Sequence, residues 1–111
     1  MPYKYVTLLR VGKKQWNEWR QENPSEGADF SYARLDGLDL SEYNLNNCNF
    51  NHASLRSCNF NNAEITRSEF MYPDLSSSTF LNPKLVAWTG NKRSMGVNHR
   101  WSSFGSCNLQ E

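Results

Sequence analysis

From Ala28 to Ala87 a large apolar residue returns at every fifth position: Phe30, Leu35, Leu40, Leu45, Phe50, Leu55, Phe60, Ile65, Phe70, Leu75, Phe80 and Leu85. An amphipathic helix repeats about every 3.6 residues and a half-buried strand every two, so a period of five specifies neither. The residue two places before each member of this series is mostly small, as at Ala28, Ala33, Cys48, Ala53, Cys58, Ala63, Ser68 and Ser78. The three remaining positions of each unit are mostly Asn, Ser, Asp, Glu or Arg. If each unit forms a short extended side that ends in a turn, four units close a square coil with the large and small residues inside. The next coil then stacks on the first, and residues twenty apart become neighbours.

The units closest to an A-[DN]-L-x-x pattern are Ala28-Asp29-Phe30, Cys48-Asn49-Phe50, Cys58-Asn59-Phe60 and Ala63-Glu64-Ile65. In this the chain resembles the pentapeptide-repeat family. The resemblance implies an all-β solenoid, a right-handed quadrilateral β-helix of about three coils, in which each coil touches only its neighbours. The segment Trp16-Asn17-Glu18-Trp19-Arg20 is similar to the W-N-x-W-R element that precedes repeats in this family, which implies an N-terminal capping helix with Trp16 and Trp19 closing the first coil. The organisation expected is therefore an N-terminal strand and capping helix over 1–27, the repeat body over 28–87, and a basic loop with a repeat-like cap over 88–111.

Within the body the expected inner columns are Phe30, Phe50 and Phe70; Leu35, Leu55 and Leu75; Leu40, Phe60 and Phe80; and Leu45, Ile65 and Leu85. On the outside, Arg34 falls beside Ser54 and Glu64 beside Lys84. Leu38 and Tyr43 are large where the pattern prefers a small residue, which predicts a widened first coil. Pro73 and Pro83 lack the backbone N–H that a sheet ladder uses, which predicts fraying in the third coil.

The flanks read differently. Residues 1–10 alternate loosely, with Tyr3, Tyr5, Thr7 and Leu9 on one side, and predict a short strand. Gly12 to Glu22 is rich in helix formers and stops before Pro24. After Ala87 the five-residue register is lost, and two shifted units reappear around Phe104 and Leu109.

Composition narrows the chemistry. A net charge of +1 argues against a strongly basic nucleic-acid binder. No run approaches the roughly 20 apolar residues of a membrane span, and 1–10 lacks the apolar core of a signal peptide. Cys48 and Cys58 read as buried free thiols, which with Cys107 suits a reducing, cytoplasmic setting rather than a disulfide framework. His52 falls on an outer turn and His99 in the late loop, neither within a nucleophile, zinc or phosphate-loop motif. No catalytic residue, metal site or cofactor is therefore assigned.

The segment Lys84–Trp101 carries Lys84, Lys92, Arg93 and Arg100 without an acidic residue, while the rest of the chain has eight basic and eleven acidic residues. Trp88, Lys92, Arg93, Arg100 and Trp101 are the candidate partner contacts. The expected function is a non-enzymatic protein–protein interaction or scaffold module, free or as a small subunit, with an exposed solenoid end open to homodimerisation. A second reading, implied by gyrase-protecting members of the resembled family, is duplex-DNA mimicry against a type II topoisomerase. The body has seven acidic and four basic residues, so it lacks the strong acidity such mimicry calls for.

Overall fold

The computed structural model describes residues 3–84, 86–91 and 106–110. Two helices, α1 (Tyr3–Val11) and α2 (Lys13–Glu22), precede five short parallel strands: β1 (Ala28–Asp29), β2 (Cys48–Asn49), β3 (Glu69–Phe70), β4 (Val86–Asn91) and β5 (Ser106–Gln110). The sheet order is β1-β2-β3-β4-β5. The chain is thus not all-β.

The parallel register is twenty residues. Ala28 pairs with Cys48, Asn49 with Glu69, and Glu69 with Thr89. The same offset recurs in isolated bridges at three further positions of the repeat: Arg34–Ser54–Asp74, Asp39–Asn59–Thr79 and Asn44–Glu64–Lys84. Successive twenty-residue segments therefore lie on one another as tiers.

One hydrogen-bond scheme recurs through the tiers. The large residue donates to the next tier, as Leu35 N–H does to Ser54 C=O at 2.8 Å, and the residue before it donates to the previous tier, as Ser54 N–H does to Ala33 C=O at 2.8 Å. The second turn residue donates forward, as His52 does to Met71 at 2.9 Å. The small residue of most later units is different, because its N–H closes the local turn, as Ala53 does to Phe50 at 3.0 Å.

That last detail corrects the expectation for the prolines. Pro73 and Pro83 occupy the small position, where a missing N–H removes a turn bond and leaves the ladder whole. Asp74 still donates to Ala53 and Lys84 to Ala63, both at 2.9 Å.

The inward residues form the core. Phe30, Leu35, Leu40, Leu45, Phe50, Leu55, Phe60, Ile65, Phe70, Leu75 and Phe80 are all buried, with Ala28, Cys48, Ala53, Cys58 and Ala63 between them. Leu85, the twelfth of the series, lies outside the described residues. Phe30, Phe50 and Phe70 stack at 5.1 and 4.8 Å, and Phe60 lies on Phe80 at 4.4 Å. Tyr43 is accommodated by turning its hydroxyl to Leu9 C=O at 3.2 Å.

The strand expected over 1–10 is helix α1. Its alternation was loose, and Tyr5 and Leu9, spaced i and i+4, also define a helical face. That face buries Leu9 and packs Tyr5 edge-on to Trp19 at 5.7 Å and Phe30 at 6.4 Å. Gly12, at φ 144, lets α2 leave in a new direction.

The register does not end at Ala87. Phe70 pairs with Gly90, so Trp88 takes the small position and Gly90 the large one. The two sizes are exchanged, and Trp88 is fully buried. Beyond it β5 pairs parallel with β4. The offset is twenty at Val86–Ser106 and nineteen from Thr89–Asn108 to Asn91–Gln110, with a bulge between. The lost residue accounts for the shifted phase at Leu109, which pairs with Gly90. Phe104 lies outside the described residues.

Candidate interaction surface

The surface is built on the turns. The last residue of each turn has a left-handed φ of 53–62° at eleven non-glycine positions, among them Tyr32, His52 and Tyr72, with Gly37 at 78°. Left-handed backbone is ordinarily disfavoured for side chains with a Cβ. Here side-chain bonds oppose that cost. Asp29, Asp39, Asn49, Asn59 and Asp74 each accept the N–H two residues on, at 2.8–3.1 Å. Asn46, Asn51 and Asn61 accept an N–H from the tier below at 2.7–2.9 Å. Asn, Asp and Ser fill the outer positions because these roles need short acceptors.

The aspartates are correspondingly easy to ionise. The hydroxyl and N–H of Ser31, Ser41 and Ser76 hold the carboxyls of Asp29, Asp39 and Asp74 below their ordinary pKa. The Ser54 hydroxyl and Arg56 N–H do the same for Asp36.

The helices replace the tier that is missing above the first. Trp16 Nε1 donates to Asn44 C=O at 2.7 Å, Asn17 Oδ1 accepts from Asn44 N–H at 2.7 Å, and Arg10 Nη2 donates to Arg34 C=O at 3.1 Å. Each satisfies a backbone group that elsewhere bonds to a neighbouring tier. Arg20, buried, lies against the rings of Trp16 and Trp19 at 5.7 and 4.9 Å. It donates to the carbonyls of Asn23 and Glu26 and approaches Cys48 Sγ at 3.7 Å. Burial pushes the Cys48 thiol up to about 12 despite Arg20 beside it, which leaves Cys48 an inert filler.

Of the partner contacts read from the sequence, Trp88 is fully buried and so has no surface to offer. Lys92, Arg93, Arg100 and Trp101 lie outside the described residues. Among the described residues no group of three or more His, Cys, Asp or Glu could hold a metal ion. A surface depression where α2 meets the tiers is lined by Asn17, Arg20, Asn44, Asn46, Glu64 and Lys84. Within it Lys84 Nζ lies 3.2 Å from Glu64 Oε1, and Arg67 Nε donates to Asn47 Oδ1 at 3.2 Å.

The feature missed from sequence is a column of rings on the outside. Tyr32, His52 and Tyr72 hold the same turn position in successive tiers. Tyr32 stacks on His52 at 4.9 Å and 7°, and His52 on Tyr72 at 5.6 Å and 24°. Tyr32 is 70% exposed and Tyr72 52%. The signal was present, because reading the turn positions at twenty-residue spacing, as was done for the core, finds the three together.

Parallel tiers at a fixed register, with an ordered surface of turns, define a repeat protein. Residues 26–62 match the family model for pentapeptide repeats, in eight copies. Over this segment the chain is similar to the pentapeptide-repeat family. Neither the comparison with curated proteins nor that with solved structures yields a match.

Proposed function

We propose that the chain is a non-enzymatic protein–protein interaction or scaffold module, folded as a right-handed quadrilateral β-helix of about three coils and working in the cytoplasm. The observation that carries this reading is the outer surface itself. Three tiers hold their side chains in columns, each fixed by ladder and turn hydrogen bonds, with the stacked rings of Tyr32, His52 and Tyr72 exposed at one corner. A preorganised surface of this kind loses little entropy when a partner docks. Twenty-residue parallel register at four successive positions supports the helical coil, and the buried free thiols Cys48 and Cys58 support a reducing compartment. No helix among the described residues is long and apolar enough to cross a membrane.

Affinity capture of the tagged protein from its native lysate, at low and at ~0.3 M salt, tests the proposal, since surface charge contacts are screened at the higher salt. A stoichiometric protein partner is the expected result. Capture of topoisomerase subunits would instead move duplex-DNA mimicry to the front. Recovery of no protein, with turnover of a small substrate, would overturn the module reading.

A further inference from the structure

Beside the ring column runs a second one, Arg34, Ser54 and Asp74, joined by parallel bridges. Both columns have a symmetry that a lone chain does not need. The ring column reads Tyr, His, Tyr in either direction. Its neighbour has opposite charges at its two ends and a small residue in the middle. We propose that this face is a self-recognition surface, on which two copies of the chain pair about a two-fold axis perpendicular to the tier stack. The proposal rests on the interaction-module reading and names a second copy as the partner.

Such an axis, passing through the middle tier, sets Tyr32 against the second copy's Tyr72, His52 against its own copy, and Arg34 against Asp74, twice over. Isologous contacts of this type require a self-complementary patch. The charges choose the side of the corner on which the copies lean. The face before the ring column carries Asp29, Asn49 and Glu69, which the same axis would set carboxylate against carboxylate. Within the tiers the face after it carries Arg34, Asp36, Arg56 and Asp74, with no net charge, and Arg10 lies at its upper edge against the Arg34 carbonyl.

The required groups are available. Arg34 forms no ion pair among the described residues. Asp74 Oδ1 accepts from Ser76, while its Oδ2 lies 3.8 Å from Arg56 Nε, and the Asp74 and Arg56 side chains are 49% and 62% exposed. At the far corner Arg56 meets its own copy, flanked in each chain by Asp36 and Asp74. The rims of the tyrosine rings, exposed in the monomer, leave water on pairing and keep their hydroxyls at the edge, where they can find new acceptors. The patch spans three tiers only, so the dimer is a weak one of small area.

Sedimentation velocity of the full chain from ~5 to ~500 µM reads the association directly. The expected result is a monomer–dimer equilibrium with Kd of ~10–100 µM at low salt, weakening as salt is raised. Arg34→Asp or Asp74→Arg alone is expected to weaken the dimer about tenfold or more, and the double reversal to restore it to within about threefold. Tyr32→Ser with Tyr72→Ser is expected to weaken it to a similar degree while the circular-dichroism spectrum and the inner ring stacks persist. A chain that is monomeric at ~500 µM overturns the proposal. So does a dimer indifferent to the single reversals, or a double reversal no better than either single one. A monomeric chain that still captures another protein from lysate fails this inference alone and leaves the module reading intact.

Discussion

Phe60→Ala is the substitution on which the core assignment stands or falls. Phe60 is fully buried in the middle tier. It lies flat on Phe80 at 4.4 Å and 5°, and edge-on to Phe50 at 6.3 Å and Phe70 at 5.9 Å. Removing a buried Phe ring ordinarily costs ~3–5 kcal/mol through lost transfer energy and the cavity left behind. Here the cavity has little means of collapsing, because the ladder fixes the backbone on every side. The loss of three ring contacts, each worth ~0.5–1.5 kcal/mol, places the cost at the upper end of that range. Domains of this size have a total stability of ~5–15 kcal/mol, so the variant should sit close to unfolding. Urea denaturation followed by circular dichroism measures it. The expected shift is a midpoint lowered by most of its wild-type value at unchanged m, with Phe60→Leu costing ~1–1.5 kcal/mol. A cost below ~1 kcal/mol for Phe60→Ala would refute the inward placement.

Two further outcomes follow from the turns. Gly37 has φ 78° and no atom near the position of a Cβ, so Gly37→Ala probes backbone strain alone. It should cost ~1 kcal/mol in the same denaturation assay, and no change would mean that this turn is not left-handed in solution. Acid should also destabilise the chain. The carboxyls of Asp29, Asp39 and Asp74 titrate lower in the folded state than in the unfolded one. Their contribution is therefore complete above the unfolded value of ~3.9 and disappears as the pH falls through the folded values. The urea midpoint should be level near neutrality and drop below about pH 4. Replacing the three by Asn, which keeps the acceptor, should flatten that limb; an unaltered limb would assign the acid sensitivity elsewhere.

Much of this architecture was legible because one physical demand repeats. Every fifth residue must fill the interior, so Phe30 to Phe80 could be placed inside and their partners twenty residues away named in advance. The failures came where one pattern admits two solutions. Tyr3, Tyr5, Thr7 and Leu9 alternate like a strand, yet Tyr5 and Leu9 also mark a helical face, and only packing on Phe30 and Trp19 decides between them. The register after Ala87 was hidden because Trp88 and Gly90 exchange sizes, which breaks the pattern of large and small residues. The prolines misled because their effect depends on which N–H the ladder uses. That assignment comes from hydrogen bonding and not from residue type. The ring column shows only when outer positions are compared at twenty-residue spacing, because Tyr32, His52 and Tyr72 are far apart in the chain.

Two periods coexist in this chain, five for the interior and twenty for the exterior. A duplication or deletion of five residues therefore keeps the inside filled but slides each outer residue to a different column. Tyr32, His52 and Tyr72 would part company, as would Arg34 and Ser54, although every buried position still received an acceptable side chain. Only a change of twenty residues preserves both. Chains of this design can thus lose their surface chemistry while remaining well folded, and those that retain a recognition column can change length only by whole tiers.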